Sequence, residues 1–170
     1  VDLRVRGDDG TDQPWDGKSV GEIQVRGPFI TGSYHEVPIE AEKFTTDGWL
    51  RTGDLGRLDD DGFLYLVDRK KDLIISGGAN VFPRDIEEVI VRHPAVKEAA
   101  VFGVPDPKWG EAPIAAVVLR EGATVSNEDL RDWINENVEA KFQRVRDVVR
   151  LQEFPRNAAG KTLKREIRDH

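Results

Sequence analysis

Two clusters of cations stand out among the 170 residues, at positions 69–71 and 161–168. The chain as a whole carries a net charge of −7, which argues against a general nucleic-acid binder, because phosphate backbones need a broadly basic face. Local cations on an acidic background suit a nucleotide phosphate instead. A carboxylate in Thr52-Gly53-Asp54 and the run Ser76-Gly77-Gly78 complete the set. Each feature also has a plain reading. A turn aspartate commonly accepts from nearby backbone N–H groups, and paired glycines mark many turns. The run Asp68-Arg69-Lys70-Lys71-Asp72 reads as a solvated link, and Lys161, after the Pro- and Asn-bearing loop, reads as an exposed lysine. His35, His93 and His170 are scattered without metal-ligand spacing. There is no cysteine, which excludes disulfides and thiolate metal sites and fits a cytoplasmic setting.

Behind these residues lies a change of pattern near 68–71. Residues 1–67 read as mostly β. Glu22-Ile23-Gln24-Val25-Arg26 alternates as a half-buried strand, and Asp59-Asp60-Asp61-Gly62 joins two strands as a hairpin. Further on, residues 73–75 form a short apolar strand. Pro83 opens a helix whose face is Ile86, Val89 and Ile90, ending before Pro94. Residues 96–104 and 112–119 read as buried strands. Ser126 caps a second helix with the face Leu130, Trp133, Ile134 and Val138. Residues 145–151 form a last strand, and a loop over 154–161 leads into a short basic helix. No apolar run is long enough to span a bilayer, and Val1-Asp2-Leu3-Arg4-Val5-Arg6 has charges where a secretory segment is apolar. The chain contains no methionine, which reads as a piece of a longer polypeptide.

The order and spacing of three segments carry a resemblance: 47–54 with Thr52-Gly53-Asp54, 62–81 with Arg69 and Ser76-Gly77-Gly78, and 155–161 with Lys161. Together they resemble the C-terminal motifs of the adenylate-forming superfamily, which comprises acyl-CoA synthetases, peptide-synthetase adenylation domains and luciferases. Gly21-Glu22-Ile23, Gly27-Pro28 and Gly32 match an earlier motif. The resemblance is greatest to bacterial fatty-acid–CoA ligases. Asn80, where many relatives carry a cation, points the same way.

The resemblance implies a set of roles. Asp54 accepts from the ribose hydroxyls of ATP or acyl-AMP, as a carboxylate's lone pairs allow. Arg69 and Leu66 also meet the nucleotide, and Lys71 is the hinge. Ser76, Gly77 and Gly78 line the CoA path, where glycine lets the backbone approach closely. Lys161 is the catalytic lysine of adenylation. The implied co-substrates are ATP with Mg2+, the metal held mainly through ATP and an upstream part, and CoA. The implied fold is α+β. A β-rich segment of a large AMP-binding domain spans 1–68, and a small mobile domain spans 69–170, with a short mixed sheet and about three helices. The implied function is an AMP-forming acyl-CoA synthetase whose partners are a carboxylic acid, ATP, CoA and the upstream domain, with no nucleic acid. The fragment alone is expected to be inactive. Two rivals remain: loading of a carrier protein, and a non-catalytic nucleotide-binding or interaction module. Trp109-Gly110-Glu111 is read as packing and turn, and Phe142-Gln143-Arg144-Val145-Arg146 departs from relatives that have a proline there.

Overall fold

Strands β1 (Asp2–Arg6), β2 (Gly21–Arg26), β5 (Leu50–Leu58) and β6 (Leu64–Arg69) form one antiparallel sheet in that order in the computed structural model of the protein. A separate two-stranded ribbon joins β3 (Ser33–Tyr34) to β4 (Val37–Pro38). The structure describes residues 1–30, 33–34, 37–38 and 41–169. Gly32, His35 and His170 lie outside the described residues. Two compact units result, Val1–Lys71 and Asp72–His170.

In the first unit the expected hairpin forms. Phe63 and Gly62 fold back onto Asp59, whose Oδ1 accepts from the Phe63 N–H at 2.8 Å. One expectation fails: β2 is buried on both faces from Gly21 to Gln24 instead of alternating. Its polar side chains are covered because each finds a cation. Gln24 accepts from Arg4 Nε at 2.9 Å, and Glu22 lies 3.4 Å from Lys70 Nζ. Trp49 closes this side, with the guanidinium groups of Arg4 and Arg26 lying 4.3 and 4.5 Å from its ring. Such stacking is a recognised use of arginine on aromatic faces. The small core beneath consists of Val5, Ile23, Leu55 and Leu58.

The second unit is a mixed sheet covered on both faces. The strands are β7 (Ile74–Ser76), β8 (Ala79–Val81), β9 (Val96–Asp106), β10 (Gly110–Leu119) and β11 (Asp147–Arg150). β10 pairs with β9 along its length and runs parallel to β11 over Ile114–Val117, while its first residue, Gly110, pairs with Ser76 of β7. Ala112 to Val118 are continuously buried, the mark of a strand covered on both faces. On one face α1 (Pro83–Ile90) and α2 (Asn127–Asn137) pack Ile86, Ile90, Leu130 and Ile134 against Val101, Ala115 and Val117. On the other, Phe154 and, from α3 (Lys164–Arg168), Ile167 meet Ala100, Ala116 and Val118.

α1 starts at Pro83 without a side-chain cap. Packing therefore holds it, each fully buried isoleucine contributing about 2 kcal/mol. α2 has the cap read from sequence, Ser126 Oγ accepting from the Asp129 N–H at 3.0 Å. Val138 falls just beyond its end. β11 begins at Asp147 instead of 145, because the Asn135 side-chain amide occupies both backbone groups of Val145, at 2.7 and 3.0 Å. No helix among the described residues is long and apolar enough to cross a membrane.

Candidate functional site

In the first unit, Thr52, Gly53, Asp54, Arg69, Lys70 and Lys71 line one concavity of about 440 Å³. Its shape comes from a bulge. Glu22 pairs with Leu55 and Gln24 with Arg51, so Ile23 alone opposes Thr52, Gly53 and Asp54. Bulges of this kind re-aim side chains beside binding sites. Thr52 pins it, its hydroxyl donating to the Ile23 carbonyl at 2.8 Å and accepting from the Asp54 N–H at 3.1 Å. Gly53 turns the chain at φ +75°, which a Cβ disfavours.

Across the strands Asp54 faces Arg69 in register, with Arg69 Nε 3.5 Å from Asp54 Oδ1 and the side chains 40% and 47% exposed. A pair this open adds about 0–1 kcal/mol to stability. Both groups remain available to a ligand's hydroxyls and phosphates. Lys70 is engaged elsewhere, lying 3.4 Å from both Glu22 and Asp8. Lys71 is exposed in the 3-10 turn Lys70–Asp72. Leu66 is exposed on β6 and is not among the lining residues.

The second unit presents two further segments. Gly77 and Gly78 form the two-residue turn between β7 and β8, with φ of 58° and 82°. Two positive φ values define the hairpin turn that matches strand twist. Gly77 N–H donates to the Trp109 carbonyl at 2.8 Å. A Cβ on Gly77 would stand 2.9 Å from the Trp109 ring. Trp109 is held in turn by Asp106, whose carboxylate accepts from the N–H groups of Trp109 and Lys108, each at 2.9 Å. Those bonds, with Arg146 beside them, keep the Asp106 carboxyl below its ordinary pKa.

Lys161 leaves a tight loop built by two side chains. Asn157 Oδ1 accepts from the N–H groups of Ala159 and Lys161, at 3.0 and 2.9 Å. Arg156 donates to the Gly160 carbonyl at 3.0 Å and pairs with Glu98 on β9. Lys164 is neutralised by Glu87 at 2.6 Å. No ion pair holds the Lys161 ammonium among the described residues. The backbone is fixed and the charge is free. His93 bonds to the Ala95 N–H and meets Trp133 edge-on at 4.8 Å, a packing role. Among the described residues no group of three His, Asp or Glu could hold a metal.

Thr52, Arg156, Asn157 and Glu22 are supports that no motif in the sequence marked as such. Asn157 had a local signal, an asparagine three residues before Gly160 at a turn.

Residues 85–161 match the family of AMP-binding enzyme C-terminal domains. Over 148 residues the chain is 49% identical to the 2-succinylbenzoate–CoA ligase of Bacillus cereus, covering 87% of this chain and 30% of that protein. ATP-bound MatB from Rhodopseudomonas palustris superposes with a TM-score of 0.87 at 35% identity, over 99% of this chain and 33% of that one. The o-succinylbenzoate CoA synthetase MenE from Bacillus subtilis, in complex with the acyl-adenylate intermediate OSB-AMP, gives 0.84 at 41% identity, over 99% and 34%. The chain thus spans about 30% of the length of the curated relatives it matches. Its likeness is to the C-terminal part of AMP-forming, adenylate-forming ligases. The curated relatives are 2-succinylbenzoate–CoA ligases, so the expected likeness to fatty-acid–CoA ligases gives way to the coarser one.

Proposed function

We propose that the polypeptide carrying this chain is an ATP-dependent acid–CoA ligase acting in two steps. In the first, a carboxylate oxygen attacks the α-phosphorus of Mg-ATP, pyrophosphate leaves, and acyl-AMP forms. In the second, the CoA thiol loses its proton and attacks the acyl carbonyl, AMP leaves, and the thioester forms. ATP enters with its magnesium as substrate. The remainder of the polypeptide supplies the triphosphate loop and the acid pocket.

The carrying observation is that Asp54 and Arg69 meet at one concavity in a chain 49% identical to a CoA ligase. Asp54 grips the ribose diol, Arg69 meets ribose and phosphate, and Lys71 serves as the pivot. Lys161 serves the first step and the Ser76–Gly78 turn the second. The second unit's own geometry supports the division. The glycine turn joins the sheet where Ser76 meets Gly110, and the Lys161 loop joins it at Glu98, the partner of Val118. At about 3.4 Å per residue, those points lie roughly 27 Å apart along β10. One small reaction centre does not reach both at once, so the unit must turn between steps.

For the acid, 2-succinylbenzoate is the first compound to test and a fatty acid the second. The nucleotide assignment has its own test. Asp54→Asn keeps one acceptor but loses the charge that strengthens both bonds to the diol. KM for ATP in the whole polypeptide should rise about tenfold with kcat little changed, the pattern of lost uniform binding. An unaltered KM for ATP would remove Asp54 from the nucleotide site.

A further inference from the structure

Trp109-Gly110-Glu111 does more than turn the chain. β7 and β10 share a single register pair, Gly110 with Ser76. Just beyond it the ladder stops, and the next donor on β7 is the Ile75 N–H. Glu111 Oε2 accepts from that N–H at 2.8 Å. A side-chain carboxylate thus stands in for the missing backbone partner. The neighbouring strand leaves room for it: a Cβ on Gly103 would lie 2.9 Å from Glu111 Oε1 and 3.1 Å from Ile74 Cγ2. On the other side of the register pair, the Gly77 N–H bonds to the Trp109 carbonyl at 2.8 Å. The strand that ends in the glycine turn is therefore held at two donors, one by backbone and one by Glu111.

We infer that Glu111 is a positioning residue for the glycine turn, fixing β7 so that Gly77 and Gly78 arrive in register for thioester formation. This rests on the reading of that turn as part of the second step. β7 is three residues long, and its far edge belongs to β8, itself only three residues. Among the described residues, the Glu111 carboxylate is the acceptor of the Ile75 N–H. Losing the carboxylate leaves that donor to solvent and lets the turn slide against Trp109. A displacement of the order of 1 Å is enough to slow an aligned reaction substantially.

The test compares Glu111→Leu, Glu111→Gln and Gly77→Ala in the whole polypeptide, with each half-reaction measured separately. In Glu111→Leu, thioester formation from supplied acyl-adenylate should fall about tenfold, the rate equivalent of one lost charge-assisted hydrogen bond. Acyl-adenylate formation should hold its rate. Glu111→Gln keeps a carbonyl acceptor and should restore the second step. Amide hydrogen exchange at Ile75 should accelerate by about tenfold or more in the leucine variant and stay slow in the glutamine variant. Equal loss in both half-reactions would make Glu111 a merely structural residue and overturn the inference. So would an intact second step in Glu111→Leu alongside a crippled one in Gly77→Ala. If Gly77→Ala itself spares thioester formation, the functional reading of the turn fails and the positioning role falls with it.

Discussion

Replacing Lys161 by alanine should lower acyl-adenylate formation by about 100- to 1000-fold and leave thioester formation from supplied acyl-adenylate at its normal rate. Attack on the α-phosphorus builds negative charge on the non-bridging oxygens. A positioned ammonium stabilises that charge more in the transition state than in the bound substrates. The loop's geometry suits this proposed role. Asn157 and Arg156 hold the peptide that joins Gly160 to Lys161, so little freedom is lost when the loop enters a reaction centre. Lys164, three residues on, is already committed to Glu87 and makes a poor substitute. Isotope exchange between pyrophosphate and ATP reads the first step, and CoA consumption from synthetic acyl-adenylate reads the second. Equal losses in both would contradict the separation.

The mirror-image result belongs to Gly77→Ala. Thioester formation should drop by about 100-fold while acyl-adenylate formation continues. Two costs combine at this position. The φ of 58° costs an alanine about 1–2 kcal/mol, and the new methyl would stand 2.9 Å from the Trp109 ring, closer than carbon atoms tolerate. Either the ring or the turn must move. The Trp109 N–H is tied to the Asp106 carboxylate and its carbonyl accepts from the Gly77 N–H, so a shift on either side is passed to the turn. A second-step rate unchanged in this variant would show that the turn lies outside the thioester site.

Local features of this chain were legible from its sequence. The Asp59–Gly62 hairpin, the Ser126 cap and the buried strands over 96–119 depend on neighbours a few residues away, where periodicity and turn chemistry decide the outcome. Burial of β2 was not legible, because it depends on Lys70 reaching Glu22 across 48 residues. The same holds for Arg156 and Glu98, 58 residues apart. The start of β11 hid for a related reason: Asn135 imitates a strand partner from a helix. Asp54, Arg69 and Lys161 were visible as motifs, and the structure brings Asp54 and Arg69 to one concavity in the first unit. The fatty-acid likeness is not shared by the curated relatives matched, which are 2-succinylbenzoate–CoA ligases. Residues 68–75 build the end of β6, a 3-10 turn and the start of β7, and Arg69, Lys70 and Lys71 among them line the concavity.

The role of Lys161 is decided by one structure: the whole polypeptide bound to ATP and an unreactive analogue of its acid, with the acid oxygen aligned on the α-phosphorus. Lys161 Nζ should then lie within about 3 Å of an α-phosphate oxygen. An aligned acid and phosphate with that amine remaining in solvent would contradict it.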